Sequence, residues 1–148
     1  MKSEFLTTLD GRQIDDENFM LLADLRYQSA ILGGIVTVPK GFVTDFASVP
    51  RVPIIYEAFG DYAHHESVVH DFLYQSHMIN VQPLAQNGVI GAPILIPVSK
   101  SLADNVFKEA MICRKKPKWK VWGMYMGVVL GGASSYASGP SRFKILNE

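Results

Sequence analysis

Residues 61–76 read DYAHHESVVHDFLYQS, and the fold turns on whether this stretch is a helix. Tyr62, Val69, Phe72 and Leu73 can form one apolar stripe at helical spacing, and Asp61 is a residue type that caps a helix N-terminus. The pattern therefore predicts a helix from Asp61 to Ser76. Helical geometry then points Glu66, His70, Tyr74 and His77 in roughly one direction, with Asp71 displaced by about 100°.

Downstream, residues 78–100 carry Asn80, Pro83, Asn87-Gly88, Gly91, Pro93 and Pro97 around the apolar piece Val89 to Val98. So many breakers predict a protruding arm or short hairpin rather than another helix. Ser99 or Ser101 then begins a second helix, in which Leu102, Val106, Ala110 and Met111 recur at helical spacing until Pro117. A third helix is predicted from about Lys118 to Gly131. No charge occurs from Val121 to Ser141, and Gly123, Gly127 and Gly131 repeat at the interval that lets helices approach closely in a bilayer. The strongly apolar part ends near Ala133, short of the ~20 residues a span requires, so a buried helix with a small-residue face is expected instead of a membrane anchor.

Upstream, the character is β. Phe5 to Leu9 reads as a strand, and Asp10-Gly11 is a tight-turn signal that predicts an opening hairpin. Phe19 to Tyr27 and Ile35 to Val38 read as further strands. Lys40-Gly41 makes a turn, and Pro50 and Pro53 keep the following stretch from forming a regular helix. Strands first and helices after give an α+β class: a small N-terminal antiparallel sheet, mainly β over 1–50, then a three-helix core, mainly helical over 60–133. A chain of 148 residues, 48% of them apolar, fits one domain over 1–148.

Fourteen acidic and fourteen basic residues balance, so no net field draws the chain to nucleic acid, and none is expected as a partner. The basic run from Arg114 to Lys120, broken by Pro117, reads as a solvated turn. Cys113 is the only cysteine, which excludes an internal disulfide and a cysteine metal cluster. Residues 1–10 lack the apolar core of a signal peptide, so cytoplasmic synthesis without signal-peptide secretion is expected. Phosphate loop, serine elbow and dinucleotide fingerprint are all missing from the sequence, and His70 has no second histidine at the four-residue interval of a helical zinc site.

The chemistry that remains is that of one helix. A histidine beside a carboxylate can act as general base, and the carboxylate can hold a hard cation through oxygen. If the first two helices pack antiparallel, Asp104 could accept the second imidazole proton of His70 and fix its tautomer. Thr44, Asp45 and Ser48, from the stretch before the helix, could reach it and join Glu66 in a polar site. The same residues also fit a hydrogen-bond network that only ties elements together, the reading that spacing alone favours.

Three stretches carry a resemblance: residues 38–51 (VPKGFVTDFASVPR), His70-Asp71-Phe72-Leu73-Tyr74, and residues 103–111 (ADNVFKEAM). They resemble the domain of unknown function 1353 family, found mainly in tailed bacteriophages and prophages, over about residues 36–133. That resemblance implies a virion-associated protein of the tail, neck or ejection apparatus, made in the host cytoplasm, with other phage structural proteins as partners. Homo-oligomerisation is left open. A looser likeness is to phospholipase A2, whose helix bears His-Asp followed by Tyr and whose next long helix bears an Asp. It implies His70 as the water-activating base, Asp104 and Tyr74 as its orienters, Asp71 as a Ca²⁺ ligand, and a lipid or envelope ester as substrate. The Gly-rich loop that supplies Ca²⁺ ligands in phospholipases has no counterpart before this helix.

Overall fold

A computed structural model describes residues 1–45 and 64–147, which leaves Ser48, Pro50, Pro53, Asp61 and Tyr62 outside the described residues. In chain order the strands are β1 (Glu4–Phe5), β2 (Gly11–Gln13), β3 (Phe19–Leu21), β4 (Leu25–Ser29), β5 (Gly34–Val38) and β6 (Val43–Thr44). Helix α1 (His64–Ser76) follows, then β7 (Met78–Pro83), β8 (Ile94–Pro97), α2 (Lys100–Cys113), α3 (Lys118–Gly131), α4 (Ala133–Ala137) and α5 (Gly139–Arg142). The class is α+β. A five-stranded antiparallel sheet runs β1-β4-β5-β7-β8, and a three-stranded one runs β2-β3-β6.

The main sheet is built on alternation. Leu25, Tyr27 and Ser29 of β4 are buried, and register places Val38 opposite Leu25 and Val36 opposite Tyr27, so one face of the strand pair is apolar and covered. β7 joins beside Gly34, where an added Cβ would meet the Gln82 carbonyl oxygen at 2.1 Å; only glycine lets the strands close.

Several local expectations are corrected by these pairings. Asp10-Gly11 does not turn a hairpin between the first two strands, because β1 pairs with β4 while β2 pairs with β3. Phe19 to Tyr27 is two strands in two different sheets, separated at Leu22 to Asp24. Turn and propensity signals are local, whereas partner choice is set by which apolar faces meet. The segment left open between arm and hairpin is a hairpin, β7 with β8, and it adds two strands to the main sheet, with β8 at the edge.

α2 begins at Ser99, whose hydroxyl accepts from the Leu102 amide at 3.0 Å, as an N-cap does. α3 covers the predicted span, but it is not a buried helix: Val121, Met124 and Val128 pack against Phe107 and Met111 of α2, and much of the remainder faces solvent. No helix among the described residues is long and apolar enough to cross a membrane.

α1 is the element at the centre. From Glu66 to Gln75 every residue is buried, polar and apolar alike. It packs against α2, α5, β5, β6 and β7, so it has no solvent face for its polar residues to occupy. His77 ends it with φ 54°, the left-handed conformation common just past a helix C-terminus.

Candidate functional site

Each of the buried polar side chains on α1 needs a partner from another element, because an unpaired polar group in a dry interior costs of order 1–3 kcal/mol. α2 supplies one. His70 Nε2 lies 2.8 Å from Asp104 Oδ1, and the Tyr74 hydroxyl donates to the same oxygen at 2.6 Å. Lys100, one turn before Asp104 on α2, donates to Oδ2 at 2.8 Å and to the carbonyls of Val128 and Val129 at the end of α3. The contacts run in opposite directions along the two helices, since Glu66 meets Arg114 at 3.3 Å while His70 meets Asp104. The two helices thus pack antiparallel, the condition under which the sequence placed Asp104 within reach of His70, and the imidazole and the acid meet.

Protonation follows from these neighbours. Burial pushes the His70 pKa down, outweighing the bond and charge of Asp104 that would raise it, and Lys100 lowers it further. Burial pushes Asp104 up, but the bonds from His70, Lys100 and Tyr74 outweigh it and hold the carboxyl below its ordinary range. A neutral imidazole against a carboxylate must donate from Nε2, so the lone pair is on Nδ1. That Nδ1 is buried and has no hydrogen-bond partner among the described residues. His70 also packs against the Tyr74 and Phe107 rings in tilted contacts, with ring centroids at 4.1 and 4.7 Å, which restrict its orientation.

On the other side of α1, Asp71 Oδ2 accepts from the Thr44 hydroxyl at 2.5 Å and from the Gln75 amide at 2.9 Å. Its Oδ1 has no hydrogen-bond partner among the described residues and lies 3.7 Å from Arg142 Nη1, which is 3.4 Å from Asp45. Burial raises Asp71 to about 6, against the lowering by Thr44, Arg142 and Gln75. Arg142 is held in place by Ser135 of α4 and by Ser138, which lies between α4 and α5.

The phospholipase likeness implies Ca²⁺ at Asp71, and these surroundings do not fit it. Calcium takes six to eight oxygen ligands, whereas the carboxyl here already faces a guanidinium. No group of three or more His, Cys, Asp or Glu that could hold a metal is found among the described residues.

Of the residues singled out in the sequence, the structure joins His70, Tyr74 and Asp104 in one cluster and Thr44, Asp45 and Asp71 in a second. Glu66 stands apart from both, fully buried near Arg114, with its carboxyl pKa raised by burial. His77 also leaves the group, because it caps the helix and stacks on Tyr136 at 4.0 Å. Ser48 lies outside the described residues. Lys100, Gln75 and Arg142 were not anticipated. The spacing of Lys100 to Asp104, four residues on one helix, is a legible ion-pair signal, but Arg142 follows a run of small and polar residues that carries none. Where β5 and β7 part, a groove of about 600 Å³ opens, lined by Thr37, Asn80 and Gln82 of the sheet and by Phe72, Gln75 and Phe143.

A family model described as a protein of unknown function, DUF1353, matches residues 19–128. No curated protein and no solved structure matches the chain.

Proposed function

The chain belongs to the DUF1353 family of proteins of unknown function, and from that premise and the geometry of α1 we propose that it is an ester hydrolase carried by a phage particle. The observation that carries this reading is the Nδ1 of a neutral His70, which has no hydrogen-bond partner among the described residues while the other nitrogen is fixed by Asp104. A network that served only to tie helices together would satisfy its own members. Here, all six buried side-chain atoms without a hydrogen-bond partner among the described residues are on α1.

In this reading Nδ1 takes a proton from water as the oxygen attacks an ester carbonyl, and Asp104 stabilises the imidazolium that forms. The tetrahedral adduct then expels the alcohol, which takes the proton back from His70. Tyr74 and Lys100 hold Asp104 in position. Because His70 is fully buried, substrate reaches it only after a local opening around α1.

The test is hydrolysis of fatty-acyl esters, including phospholipid, in the presence of chelator. Asp104→Asn is expected to lower kcat by about 10²- to 10⁴-fold with unchanged circular dichroism. The kcat/KM profile should rise with pH through a value below 6.5, since the base must be neutral. Absence of hydrolysis by the wild type, or full activity in Asp104→Asn, overturns the reading.

One observation favours a second, architectural reading. β8 is the edge strand of the main sheet and leaves Ile94 and Leu95 more than half exposed, as a subunit contact in a phage tail would require. Assembly with tail proteins that is lost in Leu95→Glu but kept in Asp104→Asn supports this role.

A further inference from the structure

Helix α3 has an apolar face that its packing does not use. At 100° per residue, Trp119, Trp122, Met126, Val129 and Leu130 fall within an arc of about 100°, opposite the strip of Val121, Met124 and Val128 that packs on α2. Trp119 is 63% exposed, Trp122 59% and Leu130 79%. Scattered exposed apolar residues need no explanation, but a contiguous stripe with two tryptophans marks an interaction surface.

Charge says what kind. The chain as a whole is neutral, yet between Ala110 and Asn147 it carries seven basic residues and no acidic one. Lys118 borders the stripe, Lys120 Nζ lies 5.3 Å from the Trp119 ring, and Lys108 Nζ lies 5.8 Å from that of Trp122. Apolar side chains flanked by cations, with indoles at the boundary, suit the headgroup layer of an anionic bilayer. A second copy of the chain would bring two basic regions together, which disfavours self-association through this face. With 14 residues the helix is about 21 Å long, short of the ~30 Å hydrocarbon core, so it can lie on a membrane but not span it. The polar face that an isolated interfacial helix would need is replaced by the body of the protein, to which the inner strip is packed.

We propose that the outer face of α3 is a docking surface for anionic lipid, with Trp119, Trp122 and Leu130 entering the headgroup layer and the neighbouring lysines meeting lipid phosphates. This surface goes beyond the hydrolase reading and does not need turnover.

The two tryptophans of the chain are both on this face, so intrinsic fluorescence reports on it directly. Vesicles of phosphatidylglycerol mixed with phosphatidylcholine are expected to float the protein and shift its emission to the blue, less so at high salt. The Trp119→Ala, Trp122→Ala double variant should partition at least about tenfold more weakly. Lys115→Ala and Lys118→Ala should each cost roughly fivefold on the anionic vesicles and little on phosphatidylcholine alone. All are exposed positions, and unchanged circular dichroism verifies folding. Unshifted emission with no flotation overturns the proposal. So does concentration-dependent dimerisation without lipid that shifts the emission, which would give the face to a second copy. Flotation without ester hydrolysis would leave the proposal standing and remove only the enzymatic reading.

Discussion

Asp71 and His70 are adjacent in the chain and both fully buried, and burial acts on them in opposite senses. Asp71 rises from 3.8 to about 6, so the folded state holds its proton more tightly than the unfolded state does. Its stabilising contribution is complete below 3.8 and is lost as pH rises through about 6, a change of roughly 3 kcal/mol. His70 is depressed, so its contribution is complete above 6.5 and is lost as pH falls through its folded value. The two slopes oppose each other. Asp71→Asn keeps an acceptor for Thr44 and Gln75 while removing the first slope. Urea denaturation from pH 4 to 7 should show the variant gaining on the wild type by up to about 3 kcal/mol as pH rises. Parallel curves would place the titration elsewhere. At this scale the sequence was most informative where partners share regular spacing. His70, Tyr74 and Asp104 were legible because two helices of known phase fix where their side chains point. The Arg142 contact spans 97 residues from Asp45, and no periodicity connects them.

The helices show why elements were easier to read than their neighbours. A start at Ser99 or Ser101 and a break at Pro117 mark α2 and α3 in local sequence; the structure caps α2 with Ser99 and begins α3 just after Pro117. α1 was recognisable as a helix, yet its burial on all sides was not, because polar residues such as Glu66, His70 and Asp71 ordinarily mark a solvated face. α5 left no signal in a stretch of Gly, Ser and Pro, although it packs directly on α1. Its Gly139 approaches so closely that an added Cβ would lie 1.9 Å from the Tyr74 carbonyl oxygen. Gly139→Ala must therefore push α5 away and carry Arg142 from Asp71 and Asp45. A loss of about 2–4 kcal/mol in chemical denaturation is expected. Since Arg142 lowers the Asp71 pKa, the carboxyl should also titrate higher in the variant, which carbon-detected NMR would read. A variant with wild-type stability would mean that the α1–α5 contact is not held in solution.

Across the whole molecule, residues 143–146 return to the segment 41–44 that precedes α1. Leu146 donates its amide to the Gly41 carbonyl at 2.8 Å, and the Val43 amide donates to the Lys144 carbonyl at 3.1 Å, so the chain end lies beside β6 of the small sheet. Phe143 contacts Phe42 and Phe72, with ring centroids at 5.9 and 6.2 Å, and thereby links that sheet to α1. These contacts join segments roughly 70 to 105 residues apart, and they offset the entropic cost of closing such long loops without any local sequence signal. Deleting residues 139–148 removes the backbone bonds, the Phe143 packing and the Arg142 charge together. The truncated chain should keep far-ultraviolet circular dichroism close to the parent, because the principal strands and helices precede the cut. Its melting temperature should fall by roughly 10 °C or more, with a broader transition, since the small sheet would lose an edge partner and Asp71 its cation. Loss of the C-terminal segment with an unchanged melt would mean that β6 and α1 are joined without it, and the Asp71 cluster would then owe its geometry to Thr44 and Gln75 alone.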